Sequence, residues 1–397
     1  MNKMYQKKHL IITAALTAII VFLSTTAFFT ARVSNDGGKL LKARNMIQEN
    51  YVDVLTQEQL TAMDDAAISA MVSSLGDPYS RYMNENAFSE YKEDNEEEYI
   101  GIGISVSFTP AENRLTVMSP YDNSPAQRAG ILPGDRIVSV DGVEVNTDTY
   151  NDVIDYIRGK NAKEGDSLVL TITRGESQEE QNVTVTREKI EIETITTKMF
   201  GSGVGYIRVA QFINSTSENF RKGIEQLKAE GMKGLIIDLR SNPGGYAHTV
   251  LDMADMLLPE GTIAYLEDNK GHKKYFESDK EELGLPMVVL INGGTASAAE
   301  LLAGSIQAYG LGTLVGEKSF GKAVGQSPLP LTAKSAIYLT NARYYTPKGE
   351  CIDKKGIEPD VKVELSAELQ SRLPLLTLSE DVQLSKAVEI LTDKIGA

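Results

Sequence analysis

The chain has 397 residues, too many for one ordinary compact core, so two or three folded units are expected. Hydrophobic residues make up 42% and charged residues 24%, the balance of a globular protein and not of a disordered one. A net charge of −15 argues against nucleic acid as a partner, because binding it needs a basic face, and a single cysteine, Cys351, excludes an intrachain disulfide.

The N-terminus is the first informative element. Lys3, Lys7 and Lys8 precede an uncharged run, Leu10–Ala31, long enough to cross a hydrocarbon core of about 30 Å. The positive-inside rule then puts residues 1–9 in the cytoplasm, residues 10–31 in the membrane as a single-pass anchor, and the body outside the cell. The small residues Ser24–Ala27 keep a rival reading open, a cleaved signal peptide followed by secretion.

Residues 36–92 read as a helical region. Leu40, Leu41, Met46 and Ile47, and later Ala67, Met71, Val72 and Leu75, recur at helical spacing until Gly76-Asp77-Pro78 breaks the pattern. The acidic run Glu93–Glu98 reads as a solvated hinge. Residues 97–187 then change character. Short β-rich runs, Ile102–Phe108, Arg114–Met118, Ile137–Val140, Leu168–Thr173 and Asn182–Thr186, alternate with turn signals, with one helix-like stretch, Asp148–Ile157.

Residues 190–365 follow an α/β pattern. Val204–Val209 predicts a strand, and Ser215-Thr216-Ser217-Glu218 predicts a capping box opening a helix that carries Phe220, Ile224 and Leu227 on one face. Leu235-Ile236-Ile237 and Met287–Ile291 are expected as buried strands, 246–258 and 297–309 as helices, and Thr313–Val315 as the next strand. Alternation of this kind implies a parallel sheet with helices on its faces. The C-terminal region, 366–397, ends in a helix over Gln383–Ile395, a candidate for packing against another subunit. The fold class is therefore α/β, a multidomain chain with an inserted β-rich module, an N-terminal transmembrane helix and helical terminal regions.

Sites in open parallel sheets form beyond the carboxyl ends of the strands. Two segments have the strand, tight turn and helix that build one: Asp238-Leu239-Arg240-Ser241-Asn242-Pro243-Gly244-Gly245 and Asn292-Gly293-Gly294-Thr295-Ala296-Ser297-Ala298-Ala299-Glu300. Ser297 falls where a helix begins, beside unpaired backbone N–H groups and the positive end of the helix dipole. A serine there is most often a simple cap. As a nucleophile it needs a base, and the chain has three histidines. They are His9, which borders the apolar run, His248, which stays open with no matching acid obvious, and His272. A lysine base must be neutral, which desolvation achieves by pulling its pKa down from about 10.4. Lys322 fits, because it follows a buried strand and has Phe320, Ala323 and Val324 as apolar neighbours and glycines around it. Cys351, in a polar turn with no histidine near it in sequence, is a weaker nucleophile candidate.

Four motifs in order resemble the carboxy-terminal processing peptidases, or tail-specific proteases, from about residue 36 to the end. They are Asp238-Leu239-Arg240 with Asn242-Pro243-Gly244-Gly245; Gly294-Thr295-Ala296-Ser297-Ala298-Ala299-Glu300; Phe320-Gly321-Lys322 with Gln326; and Tyr344-Tyr345-Thr346-Pro347. The resemblance implies a serine endopeptidase with Ser297 as nucleophile, Lys322 as general base and Gln326 orienting the lysine. It implies an oxyanion hole from N–H groups of Gly244 or Gly245 and of Ala298, with Asp238, Arg240 and Glu300 supporting the site. Ala299 stands where the family usually has a second serine, and Gly325 before the glutamine is a further small departure. The β-rich module is similar to the family's PDZ domain. Gly101, Ile102, Gly103 and Ile104 then match its carboxylate-binding loop, and Arg158 is a candidate for coupling tail binding to the protease. The implied partners are proteins with exposed C-terminal tails and a second copy of the chain, with no cofactor and no metal. Two rival readings are a peptide-binding scaffold with an inert α/β domain, and a phosphate-binding or acyl-transfer enzyme acting on small molecules.

Overall fold

The computed structural model describes residues 38–93, 98–109, 113–121, 124–159, 162–175, 179–191 and 193–396. The expected cytoplasmic segment and anchor, residues 1–31, and most of the acidic hinge lie outside the described residues. Among the described residues, no helix is long and apolar enough to cross a membrane.

The chain divides into two compact units, residues up to Asn84 with Leu329–Tyr338, and Glu85–Pro328 with Leu339–Ala397. In the first, helix α1 spans Gly38–Asn50 and α2 spans Gln57–Ser73. Thr56 caps α2 reciprocally: Thr56 Oγ1 accepts from Gln59 N, and Gln59 Oε1 accepts from Thr56 N. The predicted helical stretch is interrupted by strand β1, Arg81–Met83. It pairs antiparallel with residues of the 329–338 segment, Met83 opposite Ala336. A three-residue strand has too short a period to be read from sequence, and its partner lies far along the chain. Leu40, Leu41, Met46 and Ile47 of α1 are exposed within this unit.

In the second unit, α3 spans Glu85–Glu93 and is followed by the β-rich module. Its strands are β2 (Glu98–Gly101), β3 (Ile104–Thr109), β4 (Arg114–Pro120), β5 (Arg136–Val140), β6 (Val143–Glu144), β7 (Ser167–Thr173), β8 (Gln181–Thr186) and β9 (Glu188–Glu191). Two helices accompany them, α4 (Pro125–Arg128) and α5 (Tyr150–Arg158). The main sheet runs β3-β4-β5-β7-β8 with β3 at its edge, and β2 pairs with β9. Leu115, Val117, Leu168, Leu170 and Ile172 from the strands close a core with Ala126, Val153 and Ile157 from the helices.

The remaining chain builds the α/β core, with strands β10 (Ile195–Phe200), β11 (Val204–Val209), β12 (Gly234–Asp238), β13 (Gly261–Asp268), β14 (Lys273–Ser278), β15 (Met287–Ile291), β16 (Gly312–Gly316), β17 (Val324–Thr332), β18 (Ser335–Tyr345) and β19 (Val361–Lys362). Helices α6 (Thr216–Ala229), α7 (Ala247–Asp255), α8 (Ala298–Tyr309), α9 (Ala367–Ser371) and α10 (Val382–Ile395) complete it. The main sheet has the order β10-β11-β12-β15-β16-β19, parallel from β11 onward. The parallel sheet therefore forms as expected. Its two central strands, β12 and β15, carry no polar side chain before Asp238 at the end of β12, because both faces are covered. Ile237, Val289 and Leu314 face α6, α7 and α8, while Ile236, Val288 and Leu290 face Leu384, Ala387 and Leu391 of α10.

Two expectations change here. The C-terminal helix, read as a candidate for another subunit, packs its apolar stripe on the sheet of its own chain. Likewise, Ser215 does not cap α6 with its side chain. The buried Thr216 Oγ1 accepts from Ile213 N instead and lies 2.8 Å from Thr194 Oγ1.

Candidate active site

The carboxyl ends of β12 and β15 each run into a tight turn, and the two turns are stitched together. Asn292 Oδ1 accepts from Ser241 N at 2.8 Å and from Gly294 N at 3.0 Å. Ala296 N donates to Asn242 O, and Thr295 Oγ1 donates to Leu239 O. Both turns hold a serine at positive φ, Ser241 at 58° and Ser297 at 56°. Such a conformation costs a non-glycine residue about 1–3 kcal/mol and persists only where its surroundings over-determine it. These bonds supply that constraint.

Gly244 lies directly against Ser297. At φ 101°, an added Cβ would fall 2.8 Å from Ser297 Cβ and 3.0 Å from Ala298 N. The Gly244 N–H donates to Asn242 Oδ1 at 2.8 Å, and Asn242 is itself buried with Nδ2 on Val209 O. Gly245, at φ 145°, closes on Phe212, whose carbonyl oxygen would be 2.0 Å from any Cβ there. The N–H of Phe212 binds Gly244 O, and the N–H of Tyr246 binds Phe212 O, so that bridge uses neither polar group of Gly245.

Glu300 sits one turn into α8 and is fully buried. Its Oε2 accepts from Ser297 N at 3.0 Å and from Lys322 N at 2.8 Å, and its Oε1 accepts from Gly321 N at 2.7 Å and from Ser319 Oγ at 2.5 Å. One carboxylate thus joins the serine turn to the lysine loop. A second link comes from Tyr344, whose hydroxyl lies 2.8 Å from Ser297 O and 2.9 Å from Lys322 O. Burial, with the Glu300 charge adding to it, raises the Tyr344 phenol well above its ordinary value, so it stays protonated. The loop behind the lysine is held by residues 353–357. Ala323 N donates to Asp353 Oδ1, Lys354 N to Gly321 O, and Ser319 N to Ile357 O.

Ser297, Ala298, Gly244, Glu300 and Lys322 are therefore brought together by backbone ties. Ala323 and Val324 are buried beside the lysine as expected, but Phe320 is 58% exposed, so the apolar setting is narrower than the sequence implied. Gln326, on β17, directs its amide Nε2 to Thr340 Oγ1 at 3.1 Å and Val324 O at 3.3 Å. Asp238 and Arg240 are both buried and bind each other. Arg240 pairs with Asp238 and, across the sheet end, with Asp381, the cap of α10, and it reaches Gln383 at 3.0 Å. Burial alone would raise the Asp238 pKa, but Arg240 together with the Arg208 charge more than offsets it and the net shift is downward.

His248 is exposed and its ring stacks on Tyr246, while His272 pairs with Asp268 at the β13–β14 turn. Cys351 packs, half-buried, against the core. Sequence reasoning quoted Asn242, Asn292 and Tyr344 within its motifs but gave them no role, and it passed over Ser319; these are the ties. Asparagine after a buried strand is a turn signal, so Asn292 was findable. The Tyr344 contact was not, because it joins residues far apart in the chain.

In the β-rich module, the carbonyl groups of Ile102 and Gly103 accept from Ala126 N and Tyr121 N. Gly103, at φ 70°, packs so closely on Ser124 that a Cβ would lie 2.5 Å from Ser124 Cβ. Gly101 ends β2, and Ile104 begins the edge strand β3. Arg158 is exposed at the end of α5. The guanidinium that holds that helix end is Arg187, 2% exposed, which donates to Tyr156 O at 2.6 Å and Ile157 O at 2.8 Å.

Comparison with known proteins matches three family descriptions: Peptidase family S41 over residues 203–363, PDZ domain over 101–185, and Activating protease CtpB N-terminal domain over 22–87. A carboxyl-terminal-processing protease of Synechocystis sp. is 35% identical over 341 residues, covering 83% of this chain and 77% of the relative. The carboxy-terminal processing protease CtpB of Bacillus subtilis is 33% identical, covering 82% of this chain and 67% of the relative. Among solved structures, a photosystem II D1 C-terminal processing protease aligns with 26% identity and a TM-score of 0.52, covering 87% of this chain and 97% of that one. With a peptidase core of the α/β type and a PDZ domain ahead of it, the chain belongs to the carboxyl-terminal-processing proteases of peptidase family S41, a family of serine-type peptidases.

Proposed function

We propose that this peptidase works outside the cytoplasm, captures the C-terminal tail of a protein substrate on its PDZ domain, and cleaves the chain through an acyl-enzyme on Ser297 with Lys322 as general base. The observation that carries the reading is the Glu300 carboxylate oxygen shared by the Ser297 and Lys322 amides, which sets a hydroxyl and an amine on adjoining loops.

The neutral Lys322 amine takes the proton as Ser297 Oγ attacks the scissile carbonyl carbon. The carbonyl oxygen becomes an oxyanion, received by the N–H of Ala298 at the start of α8 and by that of Gly245, since Gly244 N–H is committed to Asn242. Each such donor is worth about 3–4 kcal/mol in the transition state. Collapse of the intermediate breaks the C–N bond, the Lys322 ammonium returns its proton to the leaving amine, and an ester remains on Ser297. Water then attacks that ester, with Lys322 as base again, releasing the new carboxyl terminus. Gln326 orients the lysine in this reading.

For capture, the tail adds a strand to the edge of β3 and its carboxylate meets the N–H groups of the loop Gly101, Ile102, Gly103 and Ile104. The carbonyls of Ile102 and Gly103 are already committed inward, which supports that orientation. The run Leu10–Ala31 behind three lysines supports a single-pass anchor, and the exposed apolar residues of α1 support a homodimer. Fractionation with N-terminal sequencing tests the anchor, and light scattering tests the dimer.

The deciding experiment is cleavage of a substrate with an unfolded tail by wild type, Ser297→Ala and Lys322→Ala. Both variants are expected to fold and to lose turnover. Full activity in either one removes the dyad, and binding of tails without turnover in the wild type would favour the scaffold reading.

A further inference from the structure

Tyr344 is the last but one residue of β18, and its own backbone already touches the lysine loop, its N–H donating to Ala323 O at 3.0 Å. Its side chain is 6% exposed. The hydroxyl lies within hydrogen-bond reach of two carbonyl oxygens, those of Ser297 and Lys322. Ser297 O also accepts from Leu301 N at 3.0 Å, the first bond of α8, so the tyrosine is not what starts that helix. What it adds is a tie from the helix start to the loop that carries the amine.

We propose that Tyr344 is a positioning residue for cleavage, its one hydroxyl proton shared between the Ser297 and Lys322 carbonyls so that the base is held in register with the nucleophile. The proposal rests on the Ser297–Lys322 reading above. Glu300 holds the two residues by their N–H groups, and Tyr344 reaches the C=O groups of the same two with its one hydroxyl proton, shared between them as a three-centre hydrogen bond. Because peptide units are planar, fixing both the N–H and the C=O of Lys322 fixes the two planes that flank its Cα. The direction in which the side chain leaves the backbone is then set before any rotamer is chosen. A single tie would leave the loop free to pivot about it. Burial keeps the phenol protonated and able to donate across the working pH range.

Tyr344→Phe in the full chain removes the bridging oxygen and little else. Cleavage of a tail-bearing substrate is measured across about pH 6–10, beside wild type, Lys322→Ala and Tyr345→Phe. Tyr345 stacks on Tyr265 at 4.8 Å and makes no part of the bridge. For Tyr344→Phe, kcat is expected to fall about ten- to a hundredfold, as displacements of about 1 Å do, with KM within about twofold of wild type. The acid limb of kcat/KM is expected to move to higher pH, because a looser lysine is better hydrated and keeps its proton longer. Tyr345→Phe is expected to behave as wild type. A wild-type kcat in Tyr344→Phe overturns the proposal. So does a lost rate with an unmoved acid limb, which marks the hydroxyl as structural only. Activity retained by Lys322→Ala is a separate result that removes the base itself, and the positioning role with it.

Discussion

The backbone N–H groups of Ser297 and Lys322 donate to one and the same oxygen of Glu300, at 3.0 and 2.8 Å. The other oxygen holds Ser319 Oγ and Gly321 N, so all the donors around this buried carboxylate come from the serine turn and the lysine loop. Glu300→Gln turns one oxygen into an NH2 group that faces two donors with no acceptor. Each buried donor left unmatched costs about 1–3 kcal/mol. The variant is expected to melt several degrees lower and to lose about a hundredfold in kcat at temperatures where it is still folded. A lowered melting temperature with wild-type kcat would mean that the tie serves the fold and not the chemistry.

Gly244→Ala tests the packing of the first turn on the second. The new methyl would stand 2.8 Å from Ser297 Cβ, the side-chain carbon nearest the backbone, and 2.9 Å from the backbone oxygen of Ala296. It would also sit at φ 101°, where L side chains are strained. The turn must move away from the serine, and with it the N–H of Gly245. Loss of one oxyanion donor lowers kcat by about 10²–10³, so the expected result is a folded protein with kcat reduced by that order. Retained kcat would place the oxyanion elsewhere.

Much of this site was legible in the sequence because its chemistry sits on short, punctuated segments. The segments 238–245 and 292–300 each follow an apolar run, Leu235-Ile236-Ile237 and Met287–Ile291, and such runs announce a sheet covered on both faces. The cover itself was misjudged. Gln383–Ile395 shows an apolar stripe, and a stripe says that a face is buried without saying against what. Arg240 was read as supporting the site, and what it binds was hidden for a related reason. Its position beside the glycine turn is local, but the partner that consumes its guanidinium, Asp381, lies at the far end of the chain. Phe320 shows the opposite error, an apolar side chain assumed to shelter the lysine that in fact points to solvent.

The buried cluster of Asp238, Arg240 and Asp381 carries a pH dependence with a definite sign. The folded pKa of Asp238 lies below its ordinary value of about 4: burial pushes it up, and the Arg240 guanidinium and backbone N–H together with the Arg208 charge more than offset that. A carboxylate depressed in this way stabilises the fold fully above the unfolded value, and that contribution is lost as pH falls from about 4 through the lower folded value. Removing one partner of a buried pair costs about 3–5 kcal/mol. At neutral pH, Asp238→Asn is therefore expected to unfold at markedly lower urea than wild type. The gap should narrow as the pH is lowered below about 4. A gap that stays constant down to pH 2 would show that the aspartate charge contributes nothing.

The PDZ domain offers a test that separates its two arginines. Arg158 is exposed at the last turn of α5, whereas Arg187 is buried and donates to the carbonyls of Tyr156 and Ile157. Ile157 O is a helix-end acceptor left over by the backbone, Tyr156 O takes the Gly159 N–H as well, and a cation there also meets the negative end of the helix dipole. The next residue, Gly159 at φ 83°, lies so close to the loop that a Cβ would be 1.8 Å from Ile100 O. The end of α5 is thus packed on the backbone that leads into Gly101 and Ile102. Loss of the Arg187 bonds should loosen the helix end and the loop together. In full-length protein carrying Ser297→Ala to prevent turnover, Arg187→Ala is expected to weaken binding of a fluorescent peptide with a free C-terminal carboxylate. Two hydrogen bonds from a charged donor at about 1.5–3 kcal/mol each leave room for a tenfold or larger change. Arg158→Ala is expected to leave that affinity unchanged, since its side chain is exposed and the helix end is held without it. Should Arg158→Ala weaken tail binding while Arg187→Ala does not, the tail would be responding to a charge on the surface of α5, and the buried cap would have no part in recognition.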